Sequence, residues 1–416
     1  MPKVLSRSAI PAAVAAGLIL SAAAQADGSI KVGILATFEG PFTILGEDSM
    51  RGAKMALSEH KSMAGGKKLE IVVGSSDASP ESAIKAARKL VEQDKVEILV
   101  GPLSGDEGVA MRDYAKTQPK VTFINGTSAA EQTTFNDPAP NFFRFTTSGV
   151  QWMAGLGTYS YQKKGYKRVI TIGEDYSYPY TQVKGFMMEF CKAGGHVVDK
   201  FWVPLGTKDY SSVVSKIPDN IDAIYVALGG ADAVNFLTQY EQAGGKKPLI
   251  GGSITVDQSV LSAKGKRRDY LIGTPSSGPL ADDWEDPKWQ AFVAAYKKSD
   301  SKAFASPTLF AHGYYIEVNA MIQALDTVKG DLSDGHRKFR DALAAQTVDT
   351  PTGKVKLDQN RNAIGDEFLT EIAAAKDGHL YNKVISVIKG VNQTLGIPEA
   401  EYRKTGLPSR DSPACP

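Results

Sequence analysis

Three short stretches hold the residues best suited to gripping an anion. Gly101-Pro102-Leu103-Ser104-Gly105-Asp106 and Asn125-Gly126-Thr127-Ser128-Ala129 mix small residues with hydroxyls, and Phe38-Glu39-Gly40-Pro41-Phe42, with Leu45 just beyond, adds aromatic surface. Small residues let the backbone approach a ligand, and the hydroxyls of Ser104, Thr127 and Ser128 can donate to a carboxylate. The helix predicted from Glu107 to Thr117 would aim its unpaired N–H groups at the same anion. Gly, Ser and Thr also serve simply as helix caps. Three such stretches in succession favour anion binding over capping alone.

Patterns for other chemistry are missing. The five His, at 60, 196, 312, 336 and 379, show neither H-x-x-x-H nor H-x-H spacing, so no metal site is expected. There is no G-x-x-x-x-G-K-[ST] phosphate loop and no G-x-S-x-G nucleophile elbow. The acidic run Asp282-Asp283 and Glu285-Asp286 reads as a solvated turn before Pro287 in preference to a catalytic pair. No enzyme activity and no cofactor are expected, a hydrolase or other enzyme on an α/β frame being the second functional class.

Something regular must hold these stretches, and the hydrophobic pattern supplies it. The apolar run Ile30, Val32, Ile34, Leu35 suits a buried parallel strand, and helical spacing follows through Arg51-Gly52-Ala53 and Ala56-Leu57. Further strands are predicted at 69–74, 97–100, 121–124 and 142–145, with helices at 80–93 and 107–117 between them. From Gln151 the alternation restarts: a helix to Lys163, strands at 168–173, 196–203, 221–228, 248–251 and 270–274, and helices at 181–193 and up to Ala243. Two such runs predict two doubly wound α/β domains. The stretches then fall at strand C-termini, where open α/β sheets bind ligands. The last third differs, with helices at 287–299, 306–328 and 334–345, a hairpin over 348–357, and short strands at 367–373 and 379–388.

At the amino end, Lys3 and Arg7 precede an apolar Ala-rich run, and Ala24-Gln25-Ala26 fits the small-x-small cleavage rule. Residues 1–26 therefore read as a secretory signal in preference to a retained membrane anchor, with an exported mature chain from Asp27 and no lipid anchor. Of 416 residues, about 390 would remain, large for one core and suited to two domains. The signal takes two of the 48 basic residues and none of the 46 acidic ones. A formally neutral mature chain offers no electrostatic case for nucleic acid or an anionic membrane. Cys191 and Cys415 are the two cysteines. Secretion permits their pairing, and a buried thiol plus a free tail thiol is an equal alternative.

The Lys31-Val32-Gly33 strand, the Gly40-Pro41 turn, the lone Gly46, the Arg51-Gly52-Ala53 helix and the helix-helix-hairpin ending together resemble type I periplasmic solute-binding proteins of the branched-chain amino-acid-binding group. The resemblance implies two doubly wound α/β lobes joined by a three-strand hinge. Lobe 1 would be 27–146 plus 276–348, lobe 2 would be 147–275 plus 349–389, and 390–416 a surface tail. The ligand would sit between the lobes.

Residue by residue, the family's carboxylate-binding loop matches the Gly-Pro-Leu-Ser stretch, its serine position falling on Gly105 with Ser104 and Asp106 on either side. Gly126, Thr127 and Ser128 match its hydroxyl pair. Tyr176 and Tyr178 occupy the aromatic segment of the second lobe. Ala231 stands where amino-acid binders often carry an aromatic, and Ile254, beside Thr255, where they carry Glu. A buried ammonium needs a counter-charge, so Ile254 argues against an α-amino group, although Asp257 or Asp232 could substitute. Phe38, Phe42, Leu45, Tyr176, Tyr178 and Ile254 suggest an apolar, aromatic-lined pocket with one anion end. What the resemblance implies is a monomeric binding subunit of an ATP-driven importer, taking an aromatic or apolar carboxylate and docking on membrane permease subunits. An amino-acid ligand, or a sensing receptor on the same fold, is the alternative.

Overall fold

The computed structural model describes residues 1, 28–263, 268–279 and 281–415. The expected signal segment and the start at Asp27 lie, Met1 apart, outside them. Strands β1 (Ile30–Thr37), β2 (Met63–Ala64), β3 (Lys67–Ser76), β4 (Ile98–Val100), β5 (Thr122–Ile124) and β6 (Phe142–Phe143) form one sheet in the order β2-β3-β1-β4-β5-β6. All pairs are parallel except β2 with β3. Helices cross between parallel strands, so both faces are covered. That is why β1 is buried at every position from Val32 to Thr37.

The second sheet contains β7 (Arg168–Glu174), β8 (His196–Val203), β9 (Ala223–Ala227), β10 (Leu249–Gly251), β11 (Pro275–Gly278), β12 (Thr347–Thr350), β13 (Gly353–Leu357), β14 (Ala363–Ala374) and β15 (Leu380–Val391). Its order is β12-β13-β14-β11-β10-β9-β7-β8, with β15 also on β14. Two large cores result. One gathers Ile34, Val100, Phe143, Met321 and Leu325; the other gathers Ile170, Phe186, Tyr225, Phe236 and Leu369. Each such side chain contributes roughly 1.5–3 kcal/mol by leaving water. The helices Pro287–Ser299 and Leu309–Thr327 return to pack on the first lobe, where Thr43–Glu59 meets Leu309–Thr327 along its length.

The chain passes from the first sheet to the second between β6 and β7, leaves the second after β11, and is joined to it again through β14. Arg144, wholly buried, ties two of these crossings together: it bridges to Asn362, its Nε donating to Asn362 Oδ1 at 2.7 Å. Several expectations need correction. Residues 269–271 are a single 3-10 turn of helix followed by a turn at 272–273, and the strand is β11 at 275–278, so the second sheet continues past Ser276 to Gly278. Val348 and Val355 pack in the first core while β12 and β13 extend the second sheet through β14, so the expected boundary at 348/349 would cut through one hairpin that joins the two. The helix expected from Gln151 to Lys163 is broken at Gly155, whose φ of +80° starts a separate helix, Leu156–Gln162. The strands taken as short are 12 residues each. Residues 392–415 are no loose surface tail, since Tyr402 is fully buried and Cys415 is joined to Cys191.

Candidate functional site

The strand ends of both lobes face each other across a narrow gap. From the first lobe come Phe42 and Leu45 beyond β1, Leu103, Ser104 and Gly105 beyond β4, and Thr127 beyond β5. From the second come Tyr176 and Tyr178 beyond β7 and Ile254 beyond β10. Trp152, in the first crossing, and Phe310, on the returning helix, complete the wall. The cavity so enclosed is only about 20 Å³, room for about one water and far below the roughly 300–1,000 Å³ typical of drug-sized sites, so the wall side chains nearly fill it. Tyr176 packs at 6.2 Å from Tyr178 and 6.4 Å from Phe42, and Trp152 meets Tyr178 edge-on at 5.8 Å.

No side chain on this wall carries a charge. What it has instead is three helix starts. The helices Gly105–Thr117, Ser177–Lys192 and Leu309–Thr327 each place a first-turn residue on the cavity, namely Gly105, Tyr178 and Phe310. First-turn N–H groups lack intrahelical acceptors, and converging helix N-termini create a positive potential. Thr127 adds a buried hydroxyl with no hydrogen-bond partner. The Tyr178 hydroxyl is hydrogen-bonded to Ser253 Oγ at 3.1 Å, and burial holds the phenols of Tyr176 and Tyr178 well above their ordinary range, keeping both neutral.

Eight of the expected site residues thus share the cavity: Phe42, Leu45, Ser104, Gly105, Thr127, Tyr176, Tyr178 and Ile254. Their roles differ. Ser104 Oγ donates to the Ala78 carbonyl at 2.8 Å and accepts from Glu107 N, while Glu107 reaches back to Ser104 N at 2.7 Å. This reciprocal cap commits the Ser104 hydroxyl to its helix. Gly105 touches the other lobe, for an added Cβ would lie 2.7 Å from Ser177 Oγ and 2.8 Å from Tyr178 N.

Six others lie outside the wall. Phe38 packs against the first core. Asp106 accepts from Ser177 N at 3.0 Å, clasping the lobes together. Gly126 lets the backbone pass Tyr314, whose hydroxyl would be 2.5 Å from any Cβ. Ser128 Oγ donates to the Gly105 carbonyl at 3.4 Å. Ala231 is exposed, because it is Gly230 that packs against Pro41 and Phe42. Thr255 Oγ1 binds the Val226 and Leu228 carbonyls at 2.7 and 2.8 Å.

The carboxylates weighed as ammonium partners are engaged elsewhere. Asp257 caps two helices, accepting from Ser259 N at 2.9 Å and Leu309 N at 3.1 Å. Asp232 accepts from Gly206 N at 2.7 Å. Burial raises both carboxyls to about 6. Ile254 itself is buried on the cavity wall. Sequence reasoning missed Leu103, Trp152 and Phe310 as site residues; Phe310, at the start of an apolar helical pattern, carried the most usable signal. Among the described residues, no group of three or more His, Cys, Asp or Glu could hold a metal, and no helix is long and apolar enough to cross a membrane.

Two α/β lobes that bring their strand ends together over a shared aromatic wall are the arrangement of a class of solute-binding proteins. The sequence profile of the family described as periplasmic binding protein matches residues 29–378, and the chain belongs to that family. Its members bind solutes and are not enzymes. The chain is similar to Leu/Ile/Val-binding protein homolog 6 of Brucella melitensis, 26% identical over 388 residues, spanning 91% of this chain and 96% of that one. Among solved structures, an ABC transporter substrate-binding protein from Sphaerobacter thermophilus superposes with a TM-score of 0.79 at 27% identity, covering 88% and 99% of the two chains. A solute-binding protein of an ABC transporter from Rhodopseudomonas palustris, solved with benzoate, also reaches 0.79, at 24% identity and 87% and 97% coverage.

Proposed function

We propose that this chain is the substrate-binding subunit of an ATP-driven importer, with a small carboxylic acid as ligand whose body is aromatic or otherwise apolar and which lacks an α-ammonium group. One observation carries the reading: three helix N-termini and the unpartnered Thr127 hydroxyl converge on an aromatic cavity whose wall has no acidic side chain. An anion gains there from dipoles and N–H groups. An ammonium would lose its hydration with no carboxylate to meet it, since Ile254 replaces the expected Glu and Asp257 is spent on two caps. The benzoate complex of the R. palustris protein supports an aromatic acid. The Leu/Ile/Val-binding names of the curated relatives support the second reading, a branched-chain amino acid.

Ligand contacts from both lobes would stabilise the closed arrangement, which membrane permease subunits would recognise. Thermal shift followed by calorimetry with benzoate, 4-hydroxybenzoate and a phenylpropanoid acid, against leucine, isoleucine and valine, tests the choice. A ligand at 100 times its Kd adds about 2.7 kcal/mol of stability. The aromatic acids should raise the melting temperature and the amino acids should not; tighter binding of leucine overturns the reading.

A further inference from the structure

Beyond β15 the chain runs along the seam between the lobes and touches both. Toward the first lobe, Tyr402 packs edge-on to Phe135 at 5.2 Å and donates to Glu131 Oε2 at 3.0 Å, and Gln132 donates to the Pro408 carbonyl at 3.4 Å. Toward the second, Lys184 donates to the Gly406 carbonyl at 2.8 Å. The same ammonium crosses the seam to Glu131 Oε1 at 3.0 Å and lies 4.3 Å from the Tyr402 ring centre. Further on, Arg410 pairs with Asp175, Lys200 holds the Asp411 and Pro413 carbonyls at 2.9 and 3.0 Å, and Cys415 is bonded to Cys191. Asp175 immediately precedes Tyr176 and also accepts from the Tyr180 hydroxyl.

We propose that residues 392–415 form a strap that favours the closed arrangement of the lobes, with Tyr402 and Arg410 as positioning residues for the loop that carries Tyr176 and Tyr178. The strap is covalently fixed to the second lobe while its one fully buried aromatic is seated on the first. Opening must therefore draw Tyr402 away from Phe135 or pull the strap off Asp175. It must also part Glu131 from Lys184, both buried, leaving opposite charges without each other. Phe135, Val150 and Tyr402 form a small apolar cluster contributed by lobe, crossing and strap, which exists only while all three meet.

This inference concerns closure and stands apart from the identity of the solute, so its test uses no ligand. Small-angle X-ray scattering of the full protein reads the lobe arrangement, and hydrogen exchange reads the 174–178 loop. Tyr402→Ala and Cys415→Ser should each increase the radius of gyration. Arg410→Ala should leave the radius near that of the parent and raise exchange in the loop at least several-fold. If Tyr402→Ala fails to fold, Tyr402→Phe replaces it, losing only the bond to Glu131, and an intermediate radius is expected. Unchanged radii in folded Tyr402 and Cys415 variants, or unchanged loop exchange in Arg410→Ala, overturn the proposal. So does a lower melting temperature with neither change, which would make the segment a stabilising appendage only.

Discussion

At the scale of single residues, Thr127 and Ser104 separate two uses of a hydroxyl. Thr127 Oγ1 is buried without a partner, whereas Ser104 Oγ is committed to Ala78 and Glu107. Thr127→Val keeps the shape and removes the donor. With benzoate as probe, calorimetry should show roughly a tenfold loss of affinity or more, a bond to a charged group being worth about 1.5–3 kcal/mol. Ser104→Ala should instead lower folding stability by about 1 kcal/mol in urea melts, the cost of a lost N-cap, with a smaller effect on affinity. Ile254→Glu asks whether this position selects against ammonium groups. It should weaken benzoate binding, strengthen leucine binding and lower the melting temperature of the unliganded protein, since the new carboxyl is buried unpaired; stronger benzoate binding in that variant would sink the idea. The aromatic wall was legible where side chains follow strand ends, as with Phe42, Tyr176 and Tyr178. Trp152 and Phe310 were not legible as site residues, because a crossing and a returning helix bring them there through long-range packing. Ala231 misled because the loop beyond β9 meets the other lobe through Gly230.

At the scale of elements, β14 links the lobes and carries Glu367 inside the protein. Burial pushes this carboxyl up to about 8, with Asp366 adding to the rise and Thr147 opposing it. The folded protein thus keeps the proton to about pH 8, while the unfolded chain releases it near 4.5. The associated stability is present in full below the unfolded value and is lost as pH rises through the folded one. Glu367→Gln should therefore gain stability relative to the parent between pH 5 and pH 8, read from thermal melts at both ends. An equal difference at the two pH values would refute it. Periodicity revealed these elements well where strands are buried on both faces. It placed 270–274 wrongly because the apolar run Tyr270, Leu271 and Ile272 is used in a short 3-10 helix and its cap. It also could not foresee Gly155, whose positive φ is a backbone event with no hydrophobic signature.

At the scale of the molecule, closure depends on how nearly two backbones can meet. Gly105 is one of the closest points of contact, and Gly105→Ala places a methyl against Ser177 and Tyr178 without disturbing a helix that accepts alanine well. Ligand-free stability should change little, while affinity for the benzoate probe falls at least tenfold. Scattering at saturating benzoate should show a larger radius than the parent, and an unchanged radius and affinity would disprove the steric account. The two-lobe plan was readable from two successive runs of alternation, but the strap was not. Its Pro-rich, charged composition resembles any exposed tail, and only Tyr402 and Cys415 distinguish it, through partners more than 200 residues away.

The bond between Cys191 and Cys415 also gives the molecule a mechanical asymmetry. It closes a ring of 224 residues of sequence separation that takes in the outer part of the second lobe and all the helices returning to the first. Pulled from its two ends, the oxidised chain can pay out only what lies outside that ring. The reduced chain should extend further by roughly 75–80 nm, at 3.3–3.6 Å per residue. In single-molecule stretching, β1 to β7 would bear the load and unravel, β7 peeling from between β8 and β9, while the chain from β8 to β15 stays inside the closed ring and is not drawn out.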